Sequence, residues 1–423
     1  MRARFSEAQL AEPEFRDSAA AIRRCVHCGF CTATCPTYLL TGDERDGPRG
    51  RVELIRAMLE SDAPPSKTTV THLDRCLSCL SCKTTCPSGV DYAQLIDHAR
   101  THIETTYRRP WPDRALRWAL AAVLLHPQRL RFALTLGRIA RPFAPVAKAL
   151  RLGGVAALLR LVPASVRLRR VEPLHVVNRR GRVVLLTGCV EPVMAPQIRD
   201  AAVRLLALAG YELADAPGEG CCGALSAHLG RDQEARGLAL ANLEAWARIG
   251  PIDAVVTTAA GCGTALKAYD HLLPADPRAG QTAGRARDLL EFLSEVGLPR
   301  PSHPRSLAVA YHGACSLQHG QAIRGAPERL LAEAGFEVRA VPEGHLCCGS
   351  AGVYNVLQPA MAGALRDRKA AHVDAVGAQV VSAGNIGCIA QLQPALATPI
   401  CHPAELLDWA HGGPAPSALK LKP

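Results

Sequence analysis

Two stretches, CVHCGFCTATCP (25–36) and CLSCLSCKTTCP (76–87), repeat one cysteine pattern, C-x2-C-x2-C-x3-C-P, at an offset of 51 residues. Three thiols two residues apart can wrap a backbone around one cubane, corner by corner. The fourth, followed by a helix-breaking proline, leaves in a new direction, and in two-cluster chains it ligates the other cluster. The pattern therefore predicts one [4Fe–4S] cluster on Cys25, Cys28, Cys31 and Cys86, and a second on Cys76, Cys79, Cys82 and Cys35. This crossing ties the two halves together, so the region should not fold fully without iron and sulfide. Zinc is the competing reading, but structural zinc sites use two C-x2-C pairs split by a longer loop, four thiolates per ion. Three close thiols plus one displaced by proline suit a cubane better. The 40 residues between the motifs include a helical stretch, Arg51 to Glu60, so the scaffold expected is an α-helical ferredoxin and not the compact β-hairpin kind.

A second duplication fills the rest of the chain. Cys189, the pair Cys221–Cys222, and Cys262 recur 126 residues later as Cys315, the pair Cys347–Cys348, and Cys388. Of the 17 cysteines only Cys401 falls outside the two repeats. Each unit opens with a β-branched or apolar run, Val183–Leu186 or Leu307–Ala310, that leads to its first cysteine. A helical pattern ending in Ala-Gly, at Gly210 and Gly335, and a second extended stretch lead into the cysteine pair. A further strand, Ala254–Thr258 or Gln379–Ser382, precedes the last cysteine. Such alternation argues for an α/β layered module built twice. The fold class expected is thus α+β multidomain: an α-helical ferredoxin over 1–107, an Arg-rich helical linker over 108–182, and Cys-Cys-Gly modules over 183–296 and 303–411.

Four thiols converge from strand ends in each module, enough for one more cluster apiece. Adjacent cysteines rarely share a strain-free disulfide, and Gly223 and Gly349 let the backbone approach something closely. Two other readings stand beside metal or cluster binding, namely core thiols and a redox dithiol. The strictness of the repeated spacing favours the metal. His27, His228, His312, His319 and His345 lie near cysteines and are expected mostly to donate hydrogen bonds or face solvent. Residues 218–223, GEGCCG, formally match a dinucleotide fingerprint, but the repeat reads GHLCCG (344–349) and lacks the middle glycine, so a nucleotide site is not expected.

Composition bounds the rest. Apolar residues make up 48% of the 423, so the chain is globular, and aromatics only 4%, so its core is built from Leu, Val and Ala. The N-terminal stretch has no apolar signal region, which points to the cytoplasm, where clustered thiols are metal ligands more often than disulfides. No apolar run reaches the roughly 20 residues of a membrane span. The charge is local: from 108 to 182, sixteen arginines and Lys148 face only Asp113 and Glu172, a net of +15, so the remainder carries −4 of the +11 total. That segment, broken by prolines into short helices and carrying Trp111 and Trp118, reads either as a solvated connector with helices packed on neighbouring domains or as an interfacial surface for anionic lipid or an acidic partner. Nucleic acid is not expected, because no reading module accompanies the charge. No Ser-His-Asp arrangement, paired carboxylate or phosphate loop stands out.

The strings CVHCGFCTATCPTY (25–38), DGPRGR (46–51), CLSCLSCKTTCPSGV (76–90), GCCGALSAHL (220–229), AGCG (260–263), HLCCGSAGVYN (345–355) and GNIGC (384–388) together resemble the iron–sulfur subunit family of bacterial glycolate oxidase, or glycolate dehydrogenase. The resemblance implies a relay. A separate FAD-containing subunit oxidises glycolate to glyoxylate, and this chain, with no flavin of its own, takes the electrons towards a membrane quinone, peripherally on the inner face of the membrane. The Cys-Cys-Gly modules are shared with heterodisulfide reductases, lactate-utilisation proteins and the anaerobic glycerol-3-phosphate dehydrogenase small subunit, so a thiol–disulfide reductase is the alternative. Two departures matter. Heterodisulfide reductases end each module in C-x2-C, whereas Ala259 and Asn385 stand at the earlier place here, which puts a five-thiolate double cluster in doubt. His312 precedes Cys315 where relatives often have a further cysteine or proline.

Overall fold

The computed structural model describes residues 3–61, 63–140, 142, 176 and 178–421. The N-terminal domain is helical. Helix Pro13–Arg24 buries Phe15, Ala19 and Ile22, and helix Tyr92–Thr106 buries Leu95, Ile96, Ala99 and Ile103, the three-to-four spacing of one apolar stripe. Helices Pro48–Leu59 and Lys67–Asp74 close the same core with Val52, Ile55, Val70 and Leu73, and the thiols Cys76 and Cys82 lie within it. The two cysteine loops share their backbone as well as their sequence. His27 and Gly29 in the first have positive φ (56° and 84°), and so do their counterparts Ser78 and Leu80 in the second (49° and 59°). Left-handed residues other than glycine are costly, so the fold holds Leu80 and Ser78 in place to curl the chain inward. Pro36 does not break a helix as expected; it starts helix Pro36–Thr41 at the first position, where a missing N–H costs nothing.

Each C-terminal module is a four-stranded, all-parallel sheet with helices on its faces. The order is β2-β1-β3-β4 in the first, with β1 Gly181–Leu185, β2 Tyr211–Leu213, β3 Ala254–Thr257 and β4 Ala286–Asp288. In the second it is β6-β5-β7-β8, with β5 Ala308–His312, β6 Glu337–Ala340, β7 Val380–Ala383 and β8 Ile400–Cys401. The registers correspond: Val183 pairs with Ala254, and Val309 with Val380. The outer strands β4 and β8 are only three and two residues long and carry no legible alternation, so sequence pattern alone predicts three strands per module. Cys401, outside both cysteine repeats, is a buried core residue on β8.

The modules share one apolar core. Helix Pro196–Leu208 lies against helix Pro403–Ala410, and helix Leu289–Val296 against helix Ala326–Glu333, the same pair of elements exchanged between modules. Arg204 and Asp408 join across the first of these contacts at 2.6 Å.

The described part of the Arg-rich segment forms two fourteen-residue helices, Trp111–Leu124 and Pro127–Ala140. Its prolines Pro112 and Pro127 begin helices and do not interrupt them. Most of 141–177 lies outside the described residues. The first of these helices packs on the ferredoxin domain: Arg109 and Arg117 are buried and close on Asp74 at 2.6 and 3.1 Å. No helix among the described residues is long and apolar enough to cross a membrane.

Candidate redox site

The eight N-terminal thiols line two adjoining cavities. Cys25, Cys28, Cys31 and Cys86 face the first, together with Val26, His27 and Arg49. Cys35, Cys76 and Cys79 face the second, with Thr37, Arg51 and Leu77, while Cys82 and Tyr92 border both. The fourth cysteine of each repeat thus stands with the first three of the other. Thr34 and Thr85, equivalent residues 51 apart, meet at 3.1 Å between the halves.

The two cavities differ electrostatically. The first is near the surface: Cys28 is exposed, and Val26 and Phe30 beside it are 68% and 62% exposed. Burial pushes the Cys31 thiol up to about 11. The second is inside and holds a buried cation. The Arg51 guanidinium donates to the His72 carbonyl at 2.8 Å, pairs with Asp46 at 3.6 Å, and reaches the Cys35 Sγ at 3.8 Å. Burial works against its charge, but the Cys76 and Cys35 sulfurs and Asp46 outweigh it and hold it protonated. Burial likewise pushes Cys79 and Cys82 well up, whereas at Cys76 the Arg51 and Arg100 charges overcome burial and draw the thiol below its ordinary value. The Tyr92 hydroxyl donates to the Cys76 Sγ at 3.6 Å and the Ser78 N–H at 3.5 Å. Such donors and cations favour sulfur ligands in their anionic form and tune any centre that they hold. Arg51 carries no sequence signal for this role beyond its place in the DGPRGR string (46–51).

In the first Cys-Cys-Gly module, Cys189 follows β1, Cys221–Cys222 follow β2, and Cys262 sits in helix Ala260–Leu266 after β3. The four come together: S–H donors from Cys189 and Cys222 hold the Cys221 sulfur well below the ordinary thiol range, and Cys222 meets Cys262. Gly223 and Gly349 both have left-handed φ, 86° and 87°, and a Cβ there would stand 3.0 Å from the Ala235 carbonyl oxygen and 2.7 Å from that of Ala362. The glycines serve the turn and the close approach of helices Asp232–Arg248 and Pro359–Ala375. GEGCCG (218–223) has no strand directly before it, since β2 ends at Leu213, and the helix after it is five residues long.

In the second module Cys315 and Cys347 stand 3.6 Å apart, and Cys347, Cys348 and Cys388 follow in line. His312 ends β5 beside Cys348 and Cys388. Burial pushes this histidine down to about 3, so the ring is neutral. Cys315 and Cys347 share an apolar cluster with Leu77, Cys79 and Tyr354, which sets the second module directly against the inner ferredoxin cavity. His319 clamps the same junction. Its Nε2 donates to the His345 carbonyl at 3.1 Å, leaving Nδ1 to accept from the Thr84 hydroxyl at 2.8 Å. Of the other histidines, His27 lines the outer cavity, His228 lies against Gly352, and His345 is exposed.

Comparison with known proteins agrees with this layout. The 4Fe–4S dicluster domain family matches residues 21–90, and the cysteine-rich domain family matches 183–267 and 309–393. The glycolate oxidase iron-sulfur subunit of Escherichia coli is 38% identical over 416 residues, covering 96% of this chain and 99% of that protein. This chain belongs to the glycolate oxidase iron–sulfur subunit family. A second member, the probable glycolate oxidase iron-sulfur subunit of Bacillus subtilis, is 31% identical over 92% of each chain. The relation extends more weakly to lactate utilization protein A of Geobacillus kaustophilus, 26% identical over 54% of this chain and 98% of that one. Among solved structures, a hypothetical protein from Helicobacter pylori shares the fold at a TM-score of 0.53 and 11% identity, covering 99% of this chain and 75% of that one. In the glycolate oxidase iron–sulfur subunit frame, the dicluster match contains all eight N-terminal cysteines, and the two cysteine-rich matches contain the eight repeated ones.

Proposed function

We propose that this chain is the electron-transfer subunit of a glycolate-oxidising complex, carrying electrons from a separate FAD-containing subunit towards a membrane quinone. The observation that carries this reading is the pair of adjoining cavities, each lined by three thiols of one repeat and the fourth of the other. Cys25, Cys28, Cys31 and Cys86 hold one [4Fe–4S] cluster, and Cys35, Cys76, Cys79 and Cys82 the second. When bound, each such cluster takes up and releases a single electron. The exposed Val26 and Phe30 rim offers the flavoprotein an apolar contact at the outer cavity. Arg51 offsets negative charge at the inner one, and Cys79 abuts the second module. The Cys-Cys-Gly thiols are further redox or metal sites, and substrate oxidation takes place on the partner.

Protein purified without oxygen should contain about eight irons with matching sulfide in its N-terminal domain. Glycolate added together with the flavoprotein should generate the EPR signal of reduced, spin-coupled clusters. Clusters that stay oxidised under those conditions, yet are reduced by dithionite, would sink the glycolate assignment. The convergence of the adjacent Cys221–Cys222 thiols with Cys189 and Cys262 favours a second reading, a thiol–disulfide reductase. Disulfide turnover by the isolated chain, abolished in Cys221→Ser, would select it.

The Arg-rich helices are the proposed membrane contact. Trp111, Trp118, Phe132, Leu136 and Ile139 are all exposed on them, interleaved with exposed Arg114, Arg129, Arg131 and Arg138. Aromatics flanked by guanidinium groups suit an anionic headgroup layer. The chain should sediment with anionic vesicles and not with zwitterionic ones, and Trp111→Ser with Trp118→Ser should weaken this about tenfold. Equal binding to both lipid types, or none, would remove the membrane role from these helices.

A further inference from the structure

On helix Trp111–Leu124 the two tryptophans stand seven residues apart with Ala115 between them, so all three fall on one face. They line an open groove of about 520 Å³, which Leu229 and Arg231 complete from the first Cys-Cys-Gly module. That volume lies within the roughly 300–1,000 Å³ of small-molecule sites. Three guanidinium groups and one carboxylate border it. Arg117 is committed to Asp74 and Asp113, and Arg231 lies 3.4 Å from Glu234. Arg114 is exposed and forms no ion pair among the described residues. The carboxylate, Glu104, tells against a multiply charged anion as the occupant. Two indole faces with a small residue between them suit a flat ring, and an unpaired guanidinium suits a carbonyl oxygen.

The groove adjoins the thiols of the first module. Leu229 belongs to one apolar cluster with Leu120, Leu125 and Cys221, and Cys189 packs against it. Val353 and Val356 of the second module lie in the same cluster, and Tyr354 beside them packs with Leu77, Cys79 and Cys347. Continuous packing thus runs from the inner ferredoxin cavity to the wall of the groove. The outer cavity, rimmed by Val26 and Phe30, shares no lining residue with it. A donor at the one and an acceptor at the other do not compete for space. The next helix exposes Phe132, Leu136 and Ile139, apolar surface for the tail of a lipid-soluble ligand.

We infer that this groove binds the headgroup of a lipid-soluble quinone, its ring against Trp111 and Trp118 and a carbonyl oxygen accepting from Arg114. The inference rests on the proposed passage of electrons towards a membrane quinone, and gives that acceptor its place on the chain. Reduction to the quinol takes two electrons, which arrive singly through the chain from the flavoprotein. It also takes two protons, which the open groove admits from water, and no bond to the protein forms.

Decylubiquinone titrated into the oxidised full chain in non-ionic detergent, read by tryptophan fluorescence, tests the site. Trp111 and Trp118, two of the four tryptophans, should be quenched saturably with one quinone per chain. Ala115→Phe, which fills the gap between the rings, should weaken binding about tenfold, with iron content and sedimentation with anionic vesicles kept. Arg114→Gln should weaken it several-fold. Quenching that never saturates, or that Ala115→Phe leaves unchanged, overturns the inference. So does equal displacement by decanol, which carries the tail without the ring. Should Ala115→Phe lose its iron through misfolding, Arg114→Gln decides alone, and unchanged affinity there overturns the inference. Neither glycolate nor the flavoprotein enters this titration, so failure here leaves the glycolate assignment standing, and failure of that assignment leaves the quenching to be read by itself.

Discussion

Cys86→Ser is expected to empty the outer cavity, whose other three ligands belong to the opposite repeat, and to leave the inner one loaded. Cys86 belongs by sequence to the motif of Cys76, Cys79 and Cys82, yet it lines the cavity of Cys25, Cys28 and Cys31. A serine hydroxyl is a poor substitute for a thiolate at such a centre. Iron should fall from about eight to about four, and electron transfer from the flavoprotein should fall by a factor on the order of 100 or more, since the lost centre is the exposed one. Cys35→Ser should do the converse, sparing the outer cavity and emptying the inner. Mössbauer and EPR spectra of the two variants distinguish the cases. If each substitution destroyed the centre of its own motif, the crossed ligation would be wrong.

The second large effect concerns Arg51. Its buried guanidinium lies 3.8 Å from the Cys35 sulfur and close to Cys76. Reduction adds one negative charge to whatever these thiolates hold, and a neighbouring fixed cation stabilises that state. Removing the cation must therefore lower the reduction potential. One unit charge several ångströms away, at an effective dielectric near 20, is worth about 3 kcal/mol, or on the order of 100 mV for one electron. Arg51→Met should shift the midpoint of the inner centre downward by that order and leave the outer centre unmoved. Arg51→Lys should shift it less, since it keeps the charge but gives up the Nε donation to the His72 carbonyl. A potentiometric EPR titration reads both. In the Cys86→Ser background the one remaining signal should still respond to Arg51, whereas an unmoved midpoint would mean that the charge is screened.

Much of this protein is written in short-range pattern. The spacing of Cys25, Cys28 and Cys31, and of Cys76, Cys79 and Cys82, specifies loops that turn three thiols into one cavity, because such geometry acts within a few residues of backbone. The duplicated runs that became β1, β3, β5 and β7 were legible for a similar reason, as buried parallel strands are continuous apolar segments. Short edge strands such as β4 and β8 were not, since two or three residues carry no period. The prolines of the Arg-rich segment mark where its described helices start, but only Asp74, far away in sequence, shows where Arg109 and Arg117 settle.

The sequence by itself determined the chemistry of the ligands and the two duplications, through residue type and local spacing. Tertiary packing alone decided that Arg51 is sealed beside Cys35, that Cys79 meets Cys315 and Cys347, and that His312 and Lys369 close on the second cysteine pair. Those neighbours come from segments far apart in the chain. Their approach is set by how sheets and helices bury a shared core, and no window of sequence encodes that on its own.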